Sequence, residues 1–121
     1  MAKTIFIVED DQAIRESLME LLETEGYEVF TAENGQDGLE QLSSCTRLPA
    51  LILLDLMMPI KDGYQFYKEK ALNNKIADIP VVIMSADGDI QRKIEKLGIS
   101  RFLKKPVDID EVLLMVAEIC N

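Results

Sequence analysis

The chain has 121 residues, 48% of them hydrophobic and 29% charged, with a formal net charge of −9 and no histidine. That length supports one domain around one core, and the balanced composition excludes fibrous and disordered classes. The acidic balance and the scatter of Lys and Arg exclude the electrostatic footprint of a nucleic-acid or anionic-membrane binder, and favour a cation or a basic protein as partner.

The first predicted strand is Thr4 to Val8. The start, MAKTIFIVEDD, turns acidic too soon for a secretory segment or a membrane span, so a cytoplasmic protein without membrane insertion is expected. A helix follows in which Ile14, Leu18, Leu21 and Leu22 share one face, and Gly26 is its expected stop. The second strand, Tyr27 to Thr31, leads to a helix over Gln36 to Leu42, and the third strand is Ala50 to Leu54. A third helix is predicted from about Tyr64 to Leu72, with Tyr64, Tyr67 and Ala71 on one side. The fourth strand, Val81 to Met84, precedes a helix from Ile90 to Leu97 in which Ile90, Ile94 and Leu97 align and which Gly98 ends. The fifth strand is Arg101 to Lys104, and the last helix, Ile109 to Cys120, carries the stripe Ile109, Val112, Val116 and Ile119. Strands apolar on both faces and joined by helices imply an α/β fold, a doubly wound parallel sheet covered on both sides. One domain over residues 1–121 is expected, with no output domain after the fifth helix.

In such a sheet, ligands bind beyond the carboxyl ends of the strands. The first strand ends in Glu9-Asp10-Asp11, the third in Asp55, the fourth in Ser85, and the fifth in Lys105 followed by Pro106. Each has a plain structural reading. Asp11 serves as a helix cap, Ser85 or Asp87 caps the fourth helix, Lys104-Lys105 is a solvated pair, and Asp62-Gly63 marks a turn. Asp55 is harder to absorb, because it follows four apolar residues and Pro59 disfavours a regular helix directly behind it. Carboxylates gathered at neighbouring strand ends raise one another's pKa unless a cation sits among them, and an all-oxygen set suits Mg²⁺. Cys45 and Cys120 have no metal-ligand spacing and are read as idle or buried thiols. A carboxylate nucleophile (Asp55), a cation, a lysine (Lys105) and a hydroxyl (Ser85) around one point are the parts of an aspartyl-phosphate site.

VEDD at Val8 to Asp11, LLDLMMPIKDG at Leu53 to Gly63, MSA at Met84 to Ala86 and FLKKP at Phe102 to Pro106 stand in order at the strand ends. With these four strings in register, essentially the whole chain resembles the response regulator receiver domain, the CheY-like family of two-component phosphorelay signalling. The resemblance implies a flavodoxin-like strand order 2-1-3-4-5 with five flanking helices. It also implies that Asp55 is the phosphoacceptor, that Asp10 and Asp55 ligate Mg²⁺ or Mn²⁺ directly, and that Met57 does so by its backbone carbonyl and Glu9 through water. Ser85 and Phe102 become the switch residues, although Phe102 also reads as a plain core aromatic, and a cis bond is implied before Pro106. Met57 and Asp87 would flank the path of the hydrolytic water.

Glu9 stands where an aspartate is commoner, the interval from Ser85 to Lys105 is about two residues short, and Ile99 replaces an alanine after Gly98. The short interval predicts a trimmed fourth helix or a tight loop.

The implied partners are a sensor histidine kinase or a phosphotransfer protein, and a downstream protein met through the fourth helix, fifth strand and fifth helix. Leu114 and Met115 lie off the buried stripe and belong either to that surface or to ordinary exposed apolar residues. A signalling switch without substrate turnover is therefore expected. Two alternatives are a Mg²⁺-dependent phosphohydrolase of the haloacid dehalogenase type and a flavodoxin-like binding module. The first lacks its acid/base carboxylate, because Met57 occupies that position, and the second lacks a glycine- or hydroxyl-rich phosphate loop after the first strand.

Overall fold

The computed structural model describes residues 2–121. Five parallel strands form one sheet in the order β2-β1-β3-β4-β5, the order that the resemblance implies. They are β1 (Thr4–Val8), β2 (Glu28–Ala32), β3 (Leu51–Asp55), β4 (Val81–Ser85) and β5 (Phe102–Lys104). The helices between them are α1 (Gln12–Thr24), α2 (Gly35–Ser44), α3 (Gly63–Ala71), α4 (Ile90–Glu95) and α5 (Ile109–Cys120). Strand alternation divides the apolar side chains between two cores. Ile5, Ile7, Leu51, Leu53, Val82 and Met84 meet α1 and α5, while Phe6, Val8, Ile52, Leu54 and Ile83 meet α2, α3 and α4. Among the described residues no helix is long and apolar enough to cross a membrane.

Three boundaries move for identifiable reasons. Gly26 takes φ +94°, its amide donates to Glu23 O, and Tyr27 N donates to Leu22 O, so Tyr27 belongs to the turn that closes α1 and β2 begins at Glu28. Asp55 and Ser85 are the last residues of their strands rather than the residues after them, paired in register with Met84 and Lys104. The trimmed helix expected from the short interval is observed, since α4 has six residues. At its end Gly98 has φ +77° and Ile99 N donates back to Ile94 O, which carries the Ile99 side chain into the same core as Ile94. Ile99 is thus the apolar residue that closes the core behind a short helix.

Two helices are rotated from the predicted stripes. In α3 the buried positions are Gly63, Phe66 and Lys70; Tyr64 and Tyr67 are half-buried against the core, and Ala71 is exposed. Gly63 sets that rotation, because a Cβ there would lie 2.5 Å from Asp55 O, and positions three and seven further on then face the sheet. In α5 the buried stripe is Val112, Val116 and Cys120, whereas Ile109, on the first turn beside the Asp108 cap, is 61% exposed and Ile119 is half-buried.

Phe66 is fully buried, and its ring lies 3.0 Å from where a Cβ on Gly38 of α2 would stand, so one aromatic fills the space between α2 and α3. Phe66→Ala is expected to cost about 3–5 kcal/mol, read as a shift in the urea midpoint. A loss under about 1 kcal/mol would place the α3 contact face elsewhere.

Candidate functional site

The parallel register delivers the polar residues to one edge. Glu9 follows β1 directly and is held by its amide on Ala32 O at 3.0 Å, and Lys105 follows β5, held by its amide on Ser85 O at 2.9 Å. Carboxylate oxygens of Glu9, Asp10 and Asp55 all lie within 4.8 Å of one another. Glu9 and Asp55 are buried, while Asp10 is exposed. The Lys105 ammonium reaches both buried acids, at 2.6 Å from Glu9 Oε1 and 3.3 Å from Asp55 Oδ2. The longer arm of Glu9 therefore places it, rather than Asp55, closest to the lysine.

Asp55 Oδ1 accepts from Met57 N at 3.2 Å, and Glu9 Oε2 accepts from Asp11 N at 3.3 Å. Glu9 Oε1 has no hydrogen bond of good geometry, and the Lys105 ammonium is what compensates it. Burial, then the hydrogen bond and charge of Glu9, push the Asp55 carboxyl up to about 7. For Glu9, burial acts the same way, but hydrogen bonds to Asp55 and Lys105 and the lysine charge outweigh it, leaving the carboxyl below its ordinary range. Burial lowers the Lys105 amine, and the two acids more than reverse that, raising it above the ordinary lysine value. One lysine does not fully neutralise the two acids, and Asp55 is the one that keeps its proton to higher pH.

Side chains beyond the predicted set hold this arrangement. Arg15 Nη1 donates to Glu9 O at 2.8 Å and Asp10 O at 3.4 Å, fastening the acidic turn from the first turns of α1. The sequence offers only a weak signal for it, one basic residue close behind an acidic triplet. Asp11 is a cap as its plain reading held, with Oδ1 accepting from Ile14 N at 3.0 Å.

Asp62-Gly63 is more than a turn. Asp62 caps α3 in a reciprocal box with Gln65, and Gly63 permits the helix backbone to touch the Asp55 peptide. Ahead of it Ile60 and Lys61 have φ 49° and 68°, unfavourable for a β-branched and a long side chain. Lys61 O accepts from Gly35 N at 3.0 Å, and its ammonium pairs with Glu69 at 2.6 Å, so the strained loop is fixed at both ends.

Ser85 is buried, and its Oγ accepts from Asp87 N at 3.1 Å, while Asp87 Oδ1 accepts from Asp89 N at 2.8 Å. Neither caps α4, whose N-cap residue is Asp89, without a side-chain capping bond. Asp87 is also ion-paired with Lys93. Phe102 is half-buried against the α4-side core, opposite Ile83 in register, and Met57 is exposed with its amide on Asp55. The Lys105-Pro106 bond is cis.

The family model described as response regulator receiver domain matches residues 5–117. The chain belongs to the response regulator receiver family. The transcriptional regulatory protein CrdR of Helicobacter pylori is 37% identical over 123 residues, covering 100% of this chain and 56% of CrdR. The KDP operon transcriptional regulatory protein KdpE of Escherichia coli is 41% identical over 110 residues, covering 89% of this chain and 47% of KdpE. The chain thus spans about half the length of the curated relatives it matches. Among solved structures, a putative response regulator from Chloroflexus aurantiacus superposes with a TM-score of 0.88 at 31% identity, covering 98% of each chain. The chemotaxis response regulator CheY4 of Vibrio cholerae gives 0.88 at 21% identity over 98% of this chain and 99% of its own, a likeness of fold.

The receiver site fits a hard divalent cation. Its donors are all oxygen, three carboxylates converge, Asp10 leaves the cluster open to a hydrated ion, and the negative charge exceeds what Lys105 supplies.

The pH dependence of the cation-free receiver follows from the same group. Asp55 has an ordinary value of 3.8 and is raised to about 7, so across that interval the folded state keeps a proton that the unfolded chain has released. Stability contributed by Asp55 is then lost as pH rises through the window. Glu9, lowered from 4.5, acts with the opposite sign below that value, which leaves the interval from about 4.5 to about 7 to Asp55. In chelator-treated buffer the urea midpoint should fall with rising pH across this interval, and Asp55→Asn should flatten the fall. Parallel profiles for the two proteins would assign the dependence to another group.

Proposed function

We propose that this receiver domain is a phosphoryl-accepting signalling switch in which Asp55 is the acceptor. The observation that carries the reading is a buried carboxylate at the end of β3, 3.3 Å from the Lys105 ammonium and within 4.8 Å of two further carboxylates. A histidine kinase or a histidine phosphotransfer protein is the donor. An Asp55 oxygen attacks phosphorus, the donor's P–N bond breaks, and the imidazole leaves with a proton.

Asp10, Asp55 and the Met57 carbonyl would hold Mg²⁺ or Mn²⁺, with Glu9 acting through a water. When bound, that ion supplies positive charge to the phosphoryl oxygens and to the crowded acids. Lys105 supplies the second positive charge, moving from Glu9 toward the new phosphoryl group, and Ser85 exchanges its bond with Asp87 N for one donated to a phosphoryl oxygen. Phe102 follows Ser85 inward, and the change leaves through α4, β5 and α5, where Phe102, Leu103, Leu114 and Met115 line a shallow cavity of about 200 Å³.

Turnover of free phosphoesters is not expected, because Met57 occupies the position where a phosphohydrolase of this type needs a second carboxylate. CrdR and KdpE are named transcriptional regulators. If this chain serves such a pathway, the strongly acidic receiver itself is not the nucleic-acid contact, and its partners are proteins in the cytoplasm.

Acetyl phosphate with Mg²⁺ should add one phosphoryl group, seen by intact mass. Asp55→Asn or chelation should reduce labelling to background, with the variant's fold verified by circular dichroism. Labelling that persists in Asp55→Asn would overturn the assignment.

A further inference from the structure

At the opposite end of the sheet from Asp55, where β4 and β5 begin, Tyr67, Lys70, Val81, Ile99, Ser100 and Arg101 line a cavity of about 310 Å³. Lys70, on the buried face of α3, is only 3% exposed there. Its ammonium donates to Ala77 O at 2.8 Å and lies 5.6 Å from the Tyr67 ring centre. Among the described residues no carboxylate forms an ion pair with it. An ammonium has three donors and one is used on Ala77 O, and a buried charge without an ion-pair partner is costly. Burial lowers the Lys70 amine, and the more distant Asp78 offsets this only in part. A water molecule would satisfy the donors but not the charge. Arg101 brings a second cation to the lining of the same cavity, and its side chain is exposed.

We propose that this cavity is a second ligand site, which binds a small oxyanion, a carboxylate or a phosphate group, between the Lys70 ammonium and the Arg101 guanidinium. Lys70 fixes the ligand from inside, and Arg101 closes over it with the planar donor set suited to either group. Bound there, the anion joins the end of α3 to the Gly98–Arg101 turn that leads into β5. The site is separate from the strand-end acids and does not depend on phosphorylation of Asp55.

The test uses the whole chain without divalent cation or phosphodonor. Inorganic phosphate and acetate are titrated separately at constant ionic strength, with amide NMR and thermal unfolding as readouts. Saturable shifts are expected at Ala77, Val81, Ser100 and Arg101, with Asp55 and Ser85 unmoved, and a Tm rise of about 3 °C or more at saturation. Saturation by phosphate alone or acetate alone identifies the group recognised. Lys70→Met should remain folded and lose saturation, and Arg101→Gln should weaken binding about ten-fold, equivalent to ~1.4 kcal/mol. Acetyl phosphate labelling of Asp55 should persist in both variants, so failure here and failure of the switch reading are distinguishable. Shifts that stay linear with both anions, or that saturate equally in the unaltered chain and in Arg101→Gln, overturn the proposal.

Discussion

The structure of the site depends on one lysine that faces two buried acids. Lys105 lies 2.6 Å from Glu9 and 3.3 Å from Asp55, and without it both carboxylates would sit desolvated beside each other. Removing one partner from such a group costs far more than the pair contributes, because the remaining charge has nowhere to go. The sheet exists in a form that keeps these three groups together. Parallel pairing puts the ends of β1, β3 and β5 on one edge, and β4 between β3 and β5 contributes Ser85, whose carbonyl holds the Lys105 amide.

The lysine does not fully offset the acids, and the backbone around them is held in a strained geometry. Glu9, Asp10 and Asp55 outnumber Lys105, and Arg15 donates to the carbonyls of Glu9 and Asp10 rather than to their carboxylates. Positive φ at Ile60 and Lys61 stores strain in the loop behind Asp55, where Gly35, Glu69 and Gly63 fix it from three sides. A loop so constrained keeps Met57 and its peptide beside the Asp55 carboxylate. Local stability has been exchanged for a fixed geometry around an acid whose charge is disfavoured by burial and by Glu9.

Much of this was legible in the sequence, for a physical reason. Five buried strands write themselves as short apolar runs, and residues such as Asp55 and Lys105 stand out because they terminate those runs. Helix rotation was not legible in the same way. In α3 the aromatic pair Tyr64 and Tyr67 looks like a core stripe, but the contact of Gly63 with the Asp55 peptide turns Phe66 and Lys70 inward instead. That contact joins residues whose proximity only the folded loop creates. Ile99 was equally opaque until the left-handed Gly98 and the bond from Ile99 N to Ile94 O showed where its side chain goes. Arg15 acts on carbonyl oxygens, which leave no trace in residue identity.

Lys70 and Lys105 show how far partners, rather than burial, decide the chemistry of a side chain. Both amines lose solvent on folding, and burial acts on each in the same direction. Lys105 meets two carboxylates and is raised; Lys70 meets one carbonyl and the face of a tyrosine and is lowered. The two lie at opposite ends of β4 and β5, and the short segment from α4 through Gly98 and Ile99 to Phe102 runs between them. That segment is lightly built: α4 has six residues and no side-chain cap, and β5 has three residues. Ile90, Ile94 and Ile99 pack it into the core, so its place in the fold rests on those side chains more than on hydrogen bonds of its own.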